Sequence, residues 1–269
     1  MWYNVNGMNL ENICLGVCAV VETVGHYIQT ESARFNTNCV EYKGLNDLVS
    51  HVDRNAEIKL VEALSSLLPN AGFITEEKTV QRVEERFNWI IDPLDGTTNF
   101  VHGVPAYAVS VALQEYNQLV LGVVYEPNRD ELFYTWGDAH SYLNNRVIRV
   151  SDTQILSKSL LATGFPYYNF DEQDAYMAVL KSLMRQCHGI RRIGTAAVDL
   201  AYTACGRFDA FYEYNLQVWD VAAGALLVKN AGGNVCDFKG GADFINHKQI
   251  LASNAYLGVS LSNIISNYF

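Results

Sequence analysis

The 269-residue chain carries no run of lysine and arginine, and its formal net charge is −10. A protein that grips a nucleic-acid backbone needs clustered positive charge to displace counterions, so no nucleic-acid partner is expected. None of the six cysteines forms a CxxC pair. The nearest two, Cys14 and Cys18, sit one helical turn apart on a largely apolar stretch, where free thiols behave as core residues. The N-terminal segment MWYNVNGMNLEN has no basic region and no long apolar region. No later stretch reaches the roughly 20 uncharged apolar residues that a membrane span needs. The expectation is a soluble protein of the reducing cytoplasm with no membrane partner. A Pro/Ser-rich linker and internal repeats are also missing. What is present, 49% hydrophobic and 18% charged residues, supplies a core and excludes a disordered chain.

Ile13, Val17, Val20, Val21, Val24, Tyr27 and Ile28 recur at helical spacing, so about 10–35 reads as an amphipathic helix. A second helix is expected from near Ser50, where Ser50-x-x-Asp53 resembles a capping box, to about Leu68. Short β-like runs come next: 72–75, 88–91, 108–113, 119–125, 131–135 and 141–143. Asn144-Asn145 then looks like a hairpin turn into 146–150. Their alternation predicts a mainly antiparallel sheet flanked by the two helices. After about Ser151 strands alternate with helices, at 160–163, 173–187, 189–193, 195–205, 208–212, 220–231, 234–237, 250–252 and 257–266, which indicates an α/β half. Two halves are expected, 1–150 and 151–269, packed as one catalytic unit with a site between them.

Three motifs carry chemistry. An apolar strand ends on Asp92, and Asp95 comes after Pro93-Leu94. Two carboxylates so close repel each other and resist ionisation, a conflict that a hard divalent cation such as Mg²⁺ resolves. Gly96-Thr97-Thr98 comes next and opens what could be a helical turn, whose backbone N–H groups suit phosphate oxygens. As a lone D-x-x-D-G this could be an ordinary turn, but the twelve-residue string Trp89–Phe100 is far more specific. Second, strand 72–75 ends on Glu76-Glu77, of which at most one can enter a site because consecutive strand residues face opposite ways. Third, Trp219-Asp220-Val221-Ala222-Ala223-Gly224 places Asp220 at a helix start, where it could cap the helix or reach a metal. The small residues after it would let that helix pack tightly. Asp47 and Glu213 are weaker candidates, each readable as an ordinary turn or surface acid. No histidine falls in a metal-ligand motif; His102 lies just past the first string.

Together these residues resemble the inositol monophosphatase family, within the lithium-sensitive, magnesium-dependent phosphatases. Trp89–Phe100 matches W-x-x-D-P-[IL]-D-G-T-x-N-F throughout. Trp219–Gly224 with Ala231-Gly232-Gly233 matches W-D-x-A-A-G and the A-G-G beyond it. Thr75-Glu76-Glu77 stands for G-E-E with Thr replacing Gly, a change that could alter the local backbone. Asp47–Ser50, Arg191–Ala197, Asp209–Glu213 and Leu251–Asn254 match further elements in the same order.

The resemblance implies a layered α-β-α-β-α fold of mixed α+β and α/β character, and a homodimer. It implies two or three Mg²⁺ per site. Glu76, Asp92 and the Leu94 carbonyl would hold the first, Asp92, Asp95 and Asp220 the second, and Asp47 would position a third through water. Gly96 and Thr97 would hold the phosphate alongside Asp95, with Thr97 and Glu76 orienting the attacking water. Ala196 and Glu213 would meet sugar hydroxyls. The implied partner is a small phosphate ester, myo-inositol 1-phosphate first. Fructose 1,6-bisphosphate, 3′-phosphoadenosine 5′-phosphate and other sugar phosphates are alternatives, and Thr163-Gly164-Phe165-Pro166-Tyr167 resembles bacterial members. An inactive regulatory homologue is the reading from another class; the presence of Glu76, Asp92, Asp95 and Asp220 speaks against it.

Overall fold

The computed structural model describes residues 4–5, 8–35, 41–44, 47–49, 51–80, 82–166 and 170–269; for 4, 5, 8, 41–44 and 47–49 the backbone alone is described. Strands β1 (Asn4–Val5) and β2 (Met8–Asn9) precede helix α1 (Leu10–Ser32), whose N-cap Asn9 accepts from the Asn12 amide at 3.2 Å. By length and composition α1 could cross a membrane. Its buried stripe of Cys14, Val17, Val21, Val24 and Ile28 instead packs into a core with helix α2 and the first sheet. Strands β3 (Glu41–Gly44) and β4 (Asp47–Val49) pair antiparallel before α2 (His51–Leu67). Ser50, half of the expected capping box, lies outside the described residues.

The first sheet holds β5 (Gly72–Thr75), β6 (Phe87–Asp95), β7 (Ala108–Glu115), β8 (Gln118–Glu126), β9 (Glu131–Trp136), β10 (Ser141–Leu143) and β11 (Arg146–Ile148) in the spatial order 11-10-9-8-7-6-5. Every pair is antiparallel except β5 with β6. Asn144 and Asn145 turn the last hairpin with φ of 46° and 65°, the left-handed pair that a two-residue turn demands. A short helix, α3 (Thr97–Val101), comes after β6. Strand alternation sorts the side chains of β6: Trp89 and Ile91 join α1 and α2, while Ile90 joins the opposite core.

The second sheet contains β12 (Leu160–Thr163), β13 (Gly189–Arg191), β14 (Ala210–Tyr214), β15 (Asn234–Cys236) and β16 (Gln249–Ser253) in the order 13-12-14-16-15, with parallel and antiparallel pairs. Helices α4 (Gln173–Met184), α5 (Ala196–Ala204), α6 (Val218–Asn230) and α7 (Gly258–Ile265) complete the chain. α5 and α6 fill the space between the two sheets, and α4 and α7 cover the outer face of the second. The layers therefore run α-β-α-β-α, as expected.

The small residues of α6 have a measurable purpose. A Cβ on Gly122 of β8 would stand 2.8 Å from the Ala223 carbonyl oxygen, and one on Gly224 would strike the Leu200 side chain of α5. α6 is thus wedged between sheet and helix with no room for branching. Gly122→Val should cost on the order of 1–3 kcal/mol through overpacking, or more because the obstacle is backbone. Urea denaturation checks this.

Three of the boundaries that differ from expectation bear on the site. β6 continues through Asp92 to Asp95, with a bulge at Pro93-Leu94. β14 starts and ends two residues late, so Glu213 lies inside a strand and not after it. α6 begins at Val218, so Asp220 is not its N-cap. Asp220 stands at the third helical position, where its carboxylate accepts from the Gln217 amide at 2.7 Å.

Candidate active site

The bulge in β6 decides where the carboxylates point. An extra residue in one strand bends it and re-aims the side chains beyond the bend, and here Asp92 and Asp95 both reach one cleft of about 360 Å³. Glu76 from the end of β5 and Asp220 from α6 line the same cleft, as do Leu94, Gly96, Thr97, Ala196 and Glu213. Nine of the ten site residues drawn from the sequence are therefore brought together. The tenth, Asp47, sits on β4, and its side chain is outside the described residues. His102 is exposed at the C-cap of α3 and does not line the cleft.

Local hydrogen bonds fix the turn. Asp92 Oδ1 accepts from the Leu94 amide at 3.0 Å, and Thr97 Oγ1, which has one proton to give, lies 3.0 Å from both the Leu94 carbonyl oxygen and Asp53 Oδ1. Gly96 adopts φ +94°, and a Cβ there would also stand 3.1 Å from the Ala106 carbonyl, so both backbone and space demand glycine. Asn99 Nδ2 donates to the Ala106 carbonyl at 2.8 Å and the Ile193 carbonyl at 3.0 Å, tying the turn to the loop before α5. Asp95 Oδ2 makes the second tie, accepting from Thr195 Oγ1 at 2.5 Å and the Ala197 amide at 2.7 Å. Trp89 and Phe100, which bracket the motif, are core side chains.

The Thr75 substitution is harmless to the backbone: Thr75 ends β5 in extended conformation, and the left-handed residue nearby is Lys78, at φ 56°. Glu77 does not line the cleft. Its amide donates to buried Glu57 of α2 at 2.7 Å, and Glu57 also accepts from the Thr79 amide and hydroxyl.

Asp53 and Arg192 are among the residues that escape the reading of the sequence. Asp53, legible there only as part of a helix cap, is buried in α2 and its Oδ1 lies 3.0 Å from Thr97 Oγ1. Arg192 lines the cleft with its guanidinium over the Phe165 ring, 5.9 Å from the centroid. The spacing of Asp53 from the helix start carries no sign of a partner 44 residues away.

Electrostatically the cleft holds more buried negative charge than it can ionise. Burial raises the Asp92 carboxyl well above its ordinary range, and Glu76, Asp95 and Asp220 push it further. Burial, then Asp95, raises Asp220 to about 8, with the Gln217 amide and Lys248 opposing. Asp95 is raised only to about 6, because Thr195, the amides of Ala197 and Gly96, and Arg192 offset its burial. Burial raises Glu213 too, aided by Asp199, Asp220 and Asp95 and opposed by Arg192.

This donor set of carboxylates beside a backbone carbonyl suits a hard divalent cation. No group of three or more His, Cys, Asp or Glu among the described residues is preassembled to hold a metal. That is no obstacle for Mg²⁺, which keeps several waters when bound and can draw its carboxylates in on binding.

These shifts make stability depend on pH. Asp95 and Asp220 hold their protons in the folded chain to higher pH than in the unfolded one. Without metal, stability should therefore fall as pH rises from the ordinary carboxylate range through about 6 and about 8. A divalent cation competes with those protons, so its stabilisation should grow with pH. Thermal melts with Mg²⁺ and with EDTA at pH 6 and pH 8.5 should show a larger gap at pH 8.5.

Against this geometry the comparisons with known proteins are decisive. The sequence profile of the inositol monophosphatase family matches residues 9–266. The chain belongs to the inositol monophosphatase family. That family is one of phosphatases and is generally metal-dependent. An inositol-1-monophosphatase of Mesorhizobium japonicum is 42% identical over 216 residues, 80% of this chain and 81% of its own. A relative from Pseudomonas aeruginosa named Nus factor SuhB is 43% identical over 237 residues, 86% of this chain and 88% of its own. Among solved structures, the extragenic suppressor protein suhB of Bartonella henselae superposes with a TM-score of 0.89 at 37% identity, covering 97% of this chain and 100% of that one. The inositol monophosphatase of Anabaena (Nostoc) sp. PCC 7120 gives 0.85 at 32% identity over 97% and 98%.

Proposed function

We propose that this chain is a Mg²⁺-dependent phosphatase of small polyol phosphates, with myo-inositol 1-phosphate as the first substrate to test. One observation carries the reading: Glu76 beyond β5, Asp92 and Asp95 of β6, and Asp220 of α6 line a single cleft with Thr97 and Glu213. Glu76, Asp92 and the Leu94 carbonyl would hold one ion; Asp92, Asp95 and Asp220 would hold another. Bound there, Mg²⁺ would supply charge neutralisation for the phosphate, the attacking water and the leaving oxygen.

The chain's own residues do the rest. Gly96 and Thr97 hold phosphate oxygens at the start of α3. Thr97 Oγ1, with its proton directed to Asp53 Oδ1 at 3.0 Å, is left to accept from the attacking water. Glu76 accepts from the same water on its other side. Glu213 and Ala196 meet the ring, and a carboxylate suits vicinal hydroxyls because it accepts from both. The two halves, 1–150 and 151–269, act as one catalytic unit, since Asp220 and Asp95 belong to different halves.

The test is phosphate release from purified protein with Mg²⁺, across myo-inositol 1-phosphate, fructose 1,6-bisphosphate and 3′-phosphoadenosine 5′-phosphate. No release from any of them would sink the reading. The same proposal extends to lithium inhibition, a homodimer and a cytoplasmic setting, open to inhibition assays, sedimentation and fractionation.

A second reading, a Nus-factor role, is favoured by the name of the Pseudomonas relative. The net charge of −10 makes direct grip on a nucleic-acid backbone the less suited route to it. Such a role and phosphatase activity are compatible in one chain.

A further inference from the structure

Gly164 is buried at the end of β12, beside β14, in the parallel register that sets Thr163 opposite Tyr212. Its φ is not in the left-handed region, so its backbone would accept any residue. What forbids a side chain is space of a particular kind. The three atoms nearest to a Cβ on Gly164 all belong to the Glu213 carboxylate, well inside contact distance. The backbone of Gly164 cannot retreat, because its carbonyl accepts from the buried Tyr176 hydroxyl at 2.8 Å and Thr163 Oγ1 holds the Tyr212 carbonyl at 2.9 Å. A methyl at 164 therefore leaves the strand in place and displaces the carboxylate. Phe165 and Arg192 line the same cleft.

We propose that Gly164 is a specificity-determining residue that acts through Glu213. By presenting no side chain, it lets the carboxylate rest on the strand end, at the position where two vicinal hydroxyls of a polyol phosphate can reach both oxygens. This rests on the polyol reading above and adds to it a residue that never touches the phosphate. Substrates that offer no hydroxyls to Glu213, such as aryl phosphates, do not depend on it.

The experiment compares wild type, Gly164→Ala, Glu213→Asp and the double variant on myo-inositol 1-phosphate and on p-nitrophenyl phosphate with Mg²⁺. Gly164→Ala should lower kcat/KM on the inositol ester about 10- to 100-fold, the scale of losing hydrogen bonds to a charged group. Its activity on the aryl ester and its melting temperature should stay near wild type. Aspartate is one carbon shorter and clears the methyl, so the double variant should be no worse than Glu213→Asp alone, a non-additivity that marks direct contact.

Equal losses on both esters, or additive losses in the double variant, would overturn the inference. So would a Gly164→Ala variant that keeps the wild-type preference. If the wild type itself shows no preference for the inositol ester, the polyol reading falls and this inference falls with it.

Discussion

Asp95→Asn should lower phosphate release on the order of 10³-fold, the scale of removing a charge-stabilising group from a reaction centre, while leaving the fold intact. The two expectations come from different atoms of the same side chain. Asparagine keeps the shape, and its amide oxygen still accepts from the Ala197 amide that Asp95 Oδ2 meets at 2.7 Å. The tie between β6 and the start of α5 therefore survives. What disappears is the charge that would face a cation. Because Asp95 itself raises both Asp92 and Asp220, neutralising it relieves repulsion among buried acids. The melting temperature without metal should be unchanged or higher, and Mg²⁺ should stabilise the variant less than wild type. Calorimetric titration of Mg²⁺, a melt and a phosphate assay separate these effects. Normal activity in Asp95→Asn would remove this carboxylate from the chemistry.

Much of this is legible in the unfolded chain because the signals are local. The stripe of α1 repeats every three or four residues, the hairpin at Asn144-Asn145 needs two left-handed residues, and Asp92-Pro93-Leu94-Asp95 places two acids in one bulge. The family resemblance supplies the long-range part, joining Glu76, Asp92, Asp95 and Asp220. Residues whose partners are distant and whose type is common stay hidden. Asn99 reads as any turn asparagine until the Ile193 carbonyl arrives 94 residues later. Glu57 looks like a surface acid of α2, yet it is buried and holds the loop beyond Glu76. Asp220 reads as an N-cap because Trp219 and Val218 look no more helical than strand-like; Gln217 takes the cap instead. Gly164 stands out only as part of a five-residue resemblance, since nothing local signals that a glutamate 49 positions on will occupy the space of its missing side chain.

Asp53 is the hidden residue with the largest expected consequence. Its carboxylate is buried and does not line the cleft; it reaches the cleft through Thr97 Oγ1, 3.0 Å away. As a positioning residue it fixes where the threonine proton goes. With that proton held, the oxygen lone pair faces the water. Asp53→Asn keeps the size but offers an amide that can donate, so the hydroxyl can turn round and its lone pair is lost to the water. The expected result is a fall in kcat on the order of 10²-fold, at the low end for removing a proton acceptor, with KM for the phosphate ester nearly unchanged. Thr97→Ala should fall by a similar factor. The double variant should be little worse than either, because the two residues act as one unit. Thr97→Ser, which keeps the hydroxyl, should retain most activity. A purely structural Asp53 would instead lower the melting temperature and leave the Thr97→Ser and Thr97→Ala variants alike, and either result would remove Asp53 from the proton path.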